Sequence, residues 1–206
     1  GSFIAFSDDD DFWDQEKISR QVDAFSASGE DTGLVYTGLQ IVDNKETSLK
    51  YRRPVHKGYI LKELLVENVI NTLSSVMVKR SVVDDVGGFD SAFPSRQDLD
   101  FFIRIAQKYR IDFIPQPLTF YTNLNNDSIS KNYQKKHQGR DLILQKYQDL
   151  YRGQRRILSL YHYGTAKRSL KHGDYRGVLK WLRRSITSYP TLKALVRYVW
   201  TLVRYQ

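Results

Sequence analysis

Four consecutive carboxylates, Asp8, Asp9, Asp10 and Asp11, stand between the apolar run Phe3-Ile4-Ala5-Phe6 and Trp13. Held together at the end of a strand, they would repel one another and resist ionisation unless a cation neutralised them. An oxygen-only cluster suits a hard ion, so Mg²⁺ or Mn²⁺ is the expected cofactor, bound by one or two carboxylates and completed by phosphate oxygens. The same residues also suit a solvated acidic turn, the commoner fate of a charge run; the flanking strand and helix signals weigh against it. A second acidic site reads Gln97-Asp98-Leu99-Asp100, with Arg104 four residues beyond Asp100. Asp98 opens a helix, where free N–H groups and the helix dipole favour a carboxylate, and an ordinary capping role fits it too. Asp100 and Arg104 share a helix face and can pair, which is expected to brace structure rather than to react. Taken together, the two sites suit group transfer from a diphosphate donor. Metal at the first would neutralise the leaving diphosphate, and the carboxylate at the second would take the proton of the attacking hydroxyl.

The elements that must position these groups alternate in type. Residues 3–6 read as a short buried strand. Trp13, Ile18, Val22 and Phe25 recur at helical spacing over residues 13–27, with Ser28-Gly29 as a stop. Residues 34–42 and 48–53 are expected to form a hairpin around the turn Asp43-Asn44-Lys45. A helix is expected over 58–66, a buried strand over 74–78, and a short helix over 82–86 closed by Gly87-Gly88. Residues 98–109 read as a helix burying Leu99, Phe102, Ile103 and Ala106. Pro115 and Pro117 mark residues 112–121 as an edge strand. Mixed strand and helix argue for an α/β fold.

From about residue 132 the pattern is helical throughout. Tyr163-Gly164, Ala166, Leu170, Gly173-Asp174-Tyr175, Leu182, Ile186 and Pro190 resemble a single tetratricopeptide-like helix pair. A last helix, residues 192–205, sets Leu195, Val196, Val199, Trp200, Leu202 and Val203 beside Lys193, Arg197 and Arg204. It suits packing on its neighbours or lying on an anionic membrane surface.

The 206 residues carry a net charge of +9, unevenly divided. Residues 1–130 hold 14 Lys+Arg against 20 Asp+Glu, net −6, whereas residues 131–206 hold 18 against 3, net +15. Such a split suggests a catalytic or binding unit joined to a basic module that meets anionic surfaces. There is no cysteine, which excludes disulfides and thiolate chemistry and fits a cytoplasmic setting. No apolar run approaches the 18 or so residues of a spanning helix, and no signal peptide is visible.

The residues resemble the family 2 glycosyltransferases of the GT-A fold. The acidic loop is similar to their Asp-x-Asp motif, here a strand reading Ile-Ala-Phe followed by acidic residues and a Trp. Residues 71–78 and Val86-Gly87-Gly88-Phe89-Asp90 resemble the middle strand and its Gly-Gly-Phe-Asp turn. Gln97-Asp98-x-Asp-x-x-x-Arg resembles the Glu-Asp motif. The resemblance covers residues 3 to about 130 and implies a partial GT-A-type mixed sheet with flanking helices, followed by the helical region 131–206. By position it assigns Asp8 and Asp10 to the donor diphosphate and the divalent metal, and Asp98 to the catalytic base. Asp9, Asp11, Gln97, Asp100 and Arg104 are candidate supporting residues. The implied reaction is metal-assisted, inverting transfer of a sugar from a nucleotide-sugar donor to a glycan or lipid-linked acceptor; the basic charge of residues 131–206 adds the expectation of a cytoplasmic protein peripheral at the inner face of an anionic membrane.

Three departures stand out. Gln97 replaces the family's usual Glu, and residues 121–130 lack the Arg or His that often precedes a serine pair. The Asp-x-Asp motif begins at residue 8, so the nucleotide-binding half of roughly 90 residues is missing and a catalytically incomplete fragment is expected. A competing reading is a basic adaptor that docks membrane or protein without catalysis. Nucleic-acid binding is not expected. Tyr133, Tyr147, Tyr151, Tyr161, Tyr163 and Tyr175 are interleaved with cations, but no nucleic-acid motif accompanies them.

Overall fold

The computed structural model describes residues 1–43, 45, 47–122 and 133–205. They form two compact units, residues 1–64 with 68–136, and residues 65–67 with 137–206.

The first unit is built on a six-stranded mixed sheet. Its strands are β1 (Phe3–Ala5), β2 (Phe12–Trp13), β3 (Thr32–Val42), β4 (Ser48–Arg52), β5 (Val76–Lys79) and β6 (Arg110–Thr122). The order is β1-β5-β3-β6-β2, with β4 paired to the distal end of β3. Only β3 and β6 run parallel; the other pairings are antiparallel. Residues 32–39 of β3 are buried without alternation, as a strand covered on both faces requires. Helices of this unit are α1 (Lys17–Ala27), α2 (Leu61–Val66), α3 (Arg80–Val86) and α4 (Gln97–Ala106). Phe25 of α1 packs on Val35, Met77, Ile114 and Leu118 of the sheet. On α4, Leu99, Phe102, Ile103 and Ala106 are all buried, as their spacing predicts.

Two expectations need correction. Trp13 is not helical. It pairs in β2 with Thr119, and α1 starts four residues later, so the buried face of α1 is Lys17, Gln21 and Phe25 while Ile18 is exposed. Nor is β6 a simple edge strand, because β3 flanks it on one side and β2 pairs with its far end. The register with β3 jumps from Thr37↔Ile114 to Gly38↔Pro117, so the prolines sit at a bulge where no ladder donor is needed. Gly38 is what permits this. A Cβ there would lie 2.6 Å from the Pro115 carbonyl oxygen.

The second unit contains the end of α2, most of α5 (Tyr133–Lys146), α6 (Gln148–Tyr151), α7 (Arg155–Lys171), α8 (Tyr175–Ser188) and α9 (Leu192–Tyr205). Tyr151 Oη donates to the Leu65 carbonyl at 2.6 Å, and Arg168 pairs with Glu67 at 2.8 Å. Helices α7 and α8 pack around Ala166, Val178, Trp181 and Leu182. Their turn is made by Gly173 at φ +69°, and Asp174 caps α8 by accepting from the Gly177 N–H at 2.8 Å. Among the described residues no helix is long and apolar enough to cross a membrane.

Candidate active site

Strand β1 runs parallel to β3, and β6 does too, so the chain leaving β1 crosses the carboxyl ends of the parallel pair before entering β2 at the far edge. That crossing segment is the acidic loop. Ligand sites of open α/β sheets lie at this end of the parallel strands. The Asp11 N–H donates to the Asp8 carbonyl at 3.3 Å, folding the loop on itself. Beneath it, Phe6, Phe89 and Phe101 make an aromatic cluster with centroid separations of 5.0–6.0 Å.

Ser74 ties the loop to the sheet. Its Oγ accepts from the Asp8 N–H at 3.0 Å, and its hydroxyl holds the Asp8 and Asp11 carboxyls lower than burial alone would. Asp11 Oδ1 accepts from the Thr122 N–H at 3.3 Å, whereas Asp11 Oδ2 is buried without a hydrogen-bond partner. Burial first, and then the charges of Asp8 and Asp10, push the Asp11 carboxyl up to about 6 against the pull of Ser74 and Thr122. The Asp8 carboxyl is also raised, by desolvation and then by Asp10, although the residue as a whole remains exposed. Asp9 and Asp10 are exposed. Tyr121, at the end of β6, is raised by burial and by Asp11, Asp10 and Asp8. Residues 123–130, where the sequence departs from the family's later loop, lie outside the described residues.

Asp98 occupies the first turn of α4, after Arg96, whose φ of +70° is sparsely populated by non-glycine residues. The N-cap position is held by Arg96, whose side chain makes no capping hydrogen bond, and Asp98 is one residue inside the helix. Its Oδ2 accepts from Asn68 Nδ2 at 2.7 Å. Burial raises its pKa, opposed by the Leu99 N–H, the Arg96 charge and Asn68. A carboxylate shifted upward holds a proton more readily.

Residues 68–75 join the two acidic sites. Asn68 Oδ1 accepts from the Ile70 and Asn71 N–H groups at 3.0 and 3.1 Å, Arg52 donates to Asn71 Oδ1 at 2.9 Å, and Thr72 caps the short 3₁₀ turn that presents Ser74. Asn68 and Ser74 were not legible as site residues. Each is one polar residue in an unremarkable stretch, and only folding aims it at a carboxylate.

The supporting candidates separate. Asp100 is fully buried and pairs with Arg104 at 3.0 Å, and Arg104 also donates to the carbonyls of Val86, Gly87 and Gly88 at 2.6–2.9 Å. This pair pins the Gly-Gly-Phe-Asp turn and, through Phe89, the floor of the acidic loop. Gln97 is exposed and donates back to the Phe93 carbonyl at 2.9 Å.

The sequence profile described as "Glycosyltransferase like family 2" matches residues 1–172. The chain belongs to this family. The match runs beyond the sheet and through α7, further than the motifs alone reach. An uncharacterised glycosyltransferase of Rickettsia conorii is 28% identical over 118 residues, 55% of this chain and 19% of the relative. Another, from Haemophilus influenzae, is 23% identical over 154 residues, 71% of this chain and 51% of the relative. The chain therefore spans about a fifth to a half of the length of these relatives. The crystal structure of S. aureus TarS 1-349 superposes with a TM-score of 0.58 at 13% identity, covering 98% of this chain and 64% of that one, a likeness of fold. The fold is thus GT-A-like.

Family 2 members often use a divalent metal. Among the described residues no three His, Cys, Asp or Glu side chains converge as a closed metal cage. The acidic loop nonetheless fits an open site, with crowded carboxyls that resist ionisation and a buried, unpartnered Asp11 oxygen. A hard cation that takes one or two protein carboxylates and completes its shell from phosphate suits such a site.

Proposed function

We propose that this glycosyltransferase chain contributes the diphosphate and acceptor side of an inverting sugar transferase that uses a nucleotide-sugar donor. In this reading residues 1–130 are the GT-A part and residues 131–206 a helical appendage. Supporting it is one arrangement above all: the acidic loop over the carboxyl ends of β3 and β6, linked through residues 68–75 to the half-buried Asp98. Asp8 and Asp10, with Asp11 behind them, would hold Mg²⁺ or Mn²⁺, which when bound neutralises charge on the leaving diphosphate. Asp98, oriented by Asn68, accepts the proton of the acceptor hydroxyl as its oxygen attacks the anomeric carbon. The bond to the donor diphosphate breaks on the opposite face, and the nucleoside diphosphate leaves. Ser74, bonded to the Asp8 N–H, keeps the loop fixed while charge moves.

The test is Asp98→Asn, assayed for transfer in the complete protein. The rate should fall about 10²–10⁴-fold with the melting temperature little changed. Asp10→Ala should abolish transfer. An Asp98→Asn variant that keeps the parent rate would remove Asp98 from the chemistry.

A further inference from the structure

We infer that α9 is an interfacial helix that seats the protein on an anionic phospholipid surface. Helix α9 packs on its neighbours through a narrow face: Ala194 and Thr201 are fully buried and Tyr198 is half-buried against the α7–α8 core. At 100° per residue, Leu192, Val196, Val199 and Val203 fall on the opposite side of the helix. These four are 78%, 60%, 56% and 82% exposed. A row of aliphatic side chains facing directly away from the packed face serves no internal purpose. It is arranged to enter an apolar phase.

The charge around the row says which phase. Lys193, Arg197 and Arg204 project along one flank of the apolar row, between it and the packed face. All three side chains lie over aromatic rings, Lys193 over Tyr163 at 5.5 Å, and Arg197 and Arg204 over Trp200 at 5.9 and 5.0 Å. Trp200, 40% exposed, sits on the border between the apolar row and these cations, where an amphipathic ring is placed at a bilayer interface. Residues 175–205 carry seven Lys+Arg and no Asp or Glu. A second copy paired through this same face would bring these cations against their own kind. Nucleic acid would meet the cations but leave the aliphatic row in water. Anionic lipid answers both features, since head groups pair with the cations while the acyl boundary takes the row.

The test uses the absence of cysteine. Val203→Cys, labelled with an environment-sensitive fluorophore in the full chain, is mixed with vesicles of phosphatidylcholine alone or with about 30% phosphatidylglycerol. The label should shift blue and the protein should float with the anionic vesicles only. Raising salt from about 0.05 to 0.5 M should release it as the surface potential is screened. Lys193→Gln/Arg197→Gln/Arg204→Gln should cut partitioning on the order of 100-fold, roughly fivefold per cation. Val196→Glu/Val199→Glu in the labelled chain should abolish insertion with helix content and melting midpoint unchanged, both positions being exposed. Failure to float with anionic vesicles at low salt overturns the proposal, as does binding that survives the double Glu change. A label already shielded in a concentration-dependent dimer, or shifted by an oligonucleotide and not by vesicles, assigns the face to those partners instead. None of these substitutions touches Asp8, Asp10 or Asp98, so the outcome is independent of the transfer reaction.

Discussion

Lys17 is fully buried beneath the sheet's edge, its ammonium donating to Gln21 Oε1 at 2.9 Å and lying 3.9 Å from the centre of the Trp13 ring. Gln21 in turn donates to the carbonyls of Val35 and Ser75, one residue from the serine that holds the acidic loop. The pair therefore anchors α1 and β2 to the strands that carry the site. Burial lowers the Lys17 pKa to about 7. An unfolded lysine keeps its proton to about pH 10.4, so between pH 7 and 10 the unfolded chain binds more protons and stability rises with pH. The cost of the buried charge is complete below pH 7. Lys17→Met should thus gain on the parent by about 2 kcal/mol or more at pH 6, less a constant 1–2 kcal/mol or so for the unmet Gln21 oxygen. Denaturant unfolding at pH 6, 8 and 9.5 checks this. The difference must narrow as pH rises, and a difference independent of pH would mean that Lys17 keeps its proton in the fold at every pH measured, as it does in the unfolded chain.

At the scale of elements, the β3–β6 pairing decides where the acidic loop can rest. The bulge at Gly38 lets Pro115 and Pro117 pass and restores register, so that Thr122 arrives beside Asp11. Gly38→Ala would drive a methyl into the Pro115 and Gln116 carbonyl oxygens, 2.6 and 2.7 Å away, which are backbone atoms with little room to yield. The expected loss is about 1–3 kcal/mol by denaturant midpoint, with a slower transfer rate, because the end of β6 must shift. Unchanged stability would show that the two strands separate freely at the bulge.

For the molecule as a whole, charge divides with structure. The acidic crowding lies in the first unit, while residues 131–206 carry +15. Self-repulsion on the basic segment is screened by salt, and crowded carboxylates are relieved by a divalent cation. Amide exchange read by mass spectrometry should therefore separate the two. Millimolar Mn²⁺ should slow exchange in residues 8–11 and 73–75 and leave α7–α9 unaffected. Moving from about 0.02 to 0.3 M NaCl should slow exchange in α7–α9 at neutral pH. Equal Mn²⁺ protection of both regions would mean that the cation does not select the acidic loop.

The sequence by itself determined the element types around β3, α3 and α4, the apolar face of α4, and where the two acidic stretches fall, because these rest on local periodicity and on residues adjacent in the chain. Gly87, Gly173 and Asp174 announced their turns for the same reason. Only the tertiary structure decided that Trp13 belongs to a two-residue strand, since its partner Thr119 lies more than 100 residues away and no local pattern encodes that pairing. The buried face of α1 was misread because hydrophobic spacing looks past a lysine and a glutamine that satisfy one another when buried. Likewise the prolines of β6 signalled an edge, yet a bulge opposite one glycine meets the same missing donor. Asn68 met the Asp98 carboxylate and Ser74 the Asp8 N–H only when a loop folded between the two acidic stretches, and α9 became a surface rather than a core helix because Ala194 and Thr201, not its valines, turned inward.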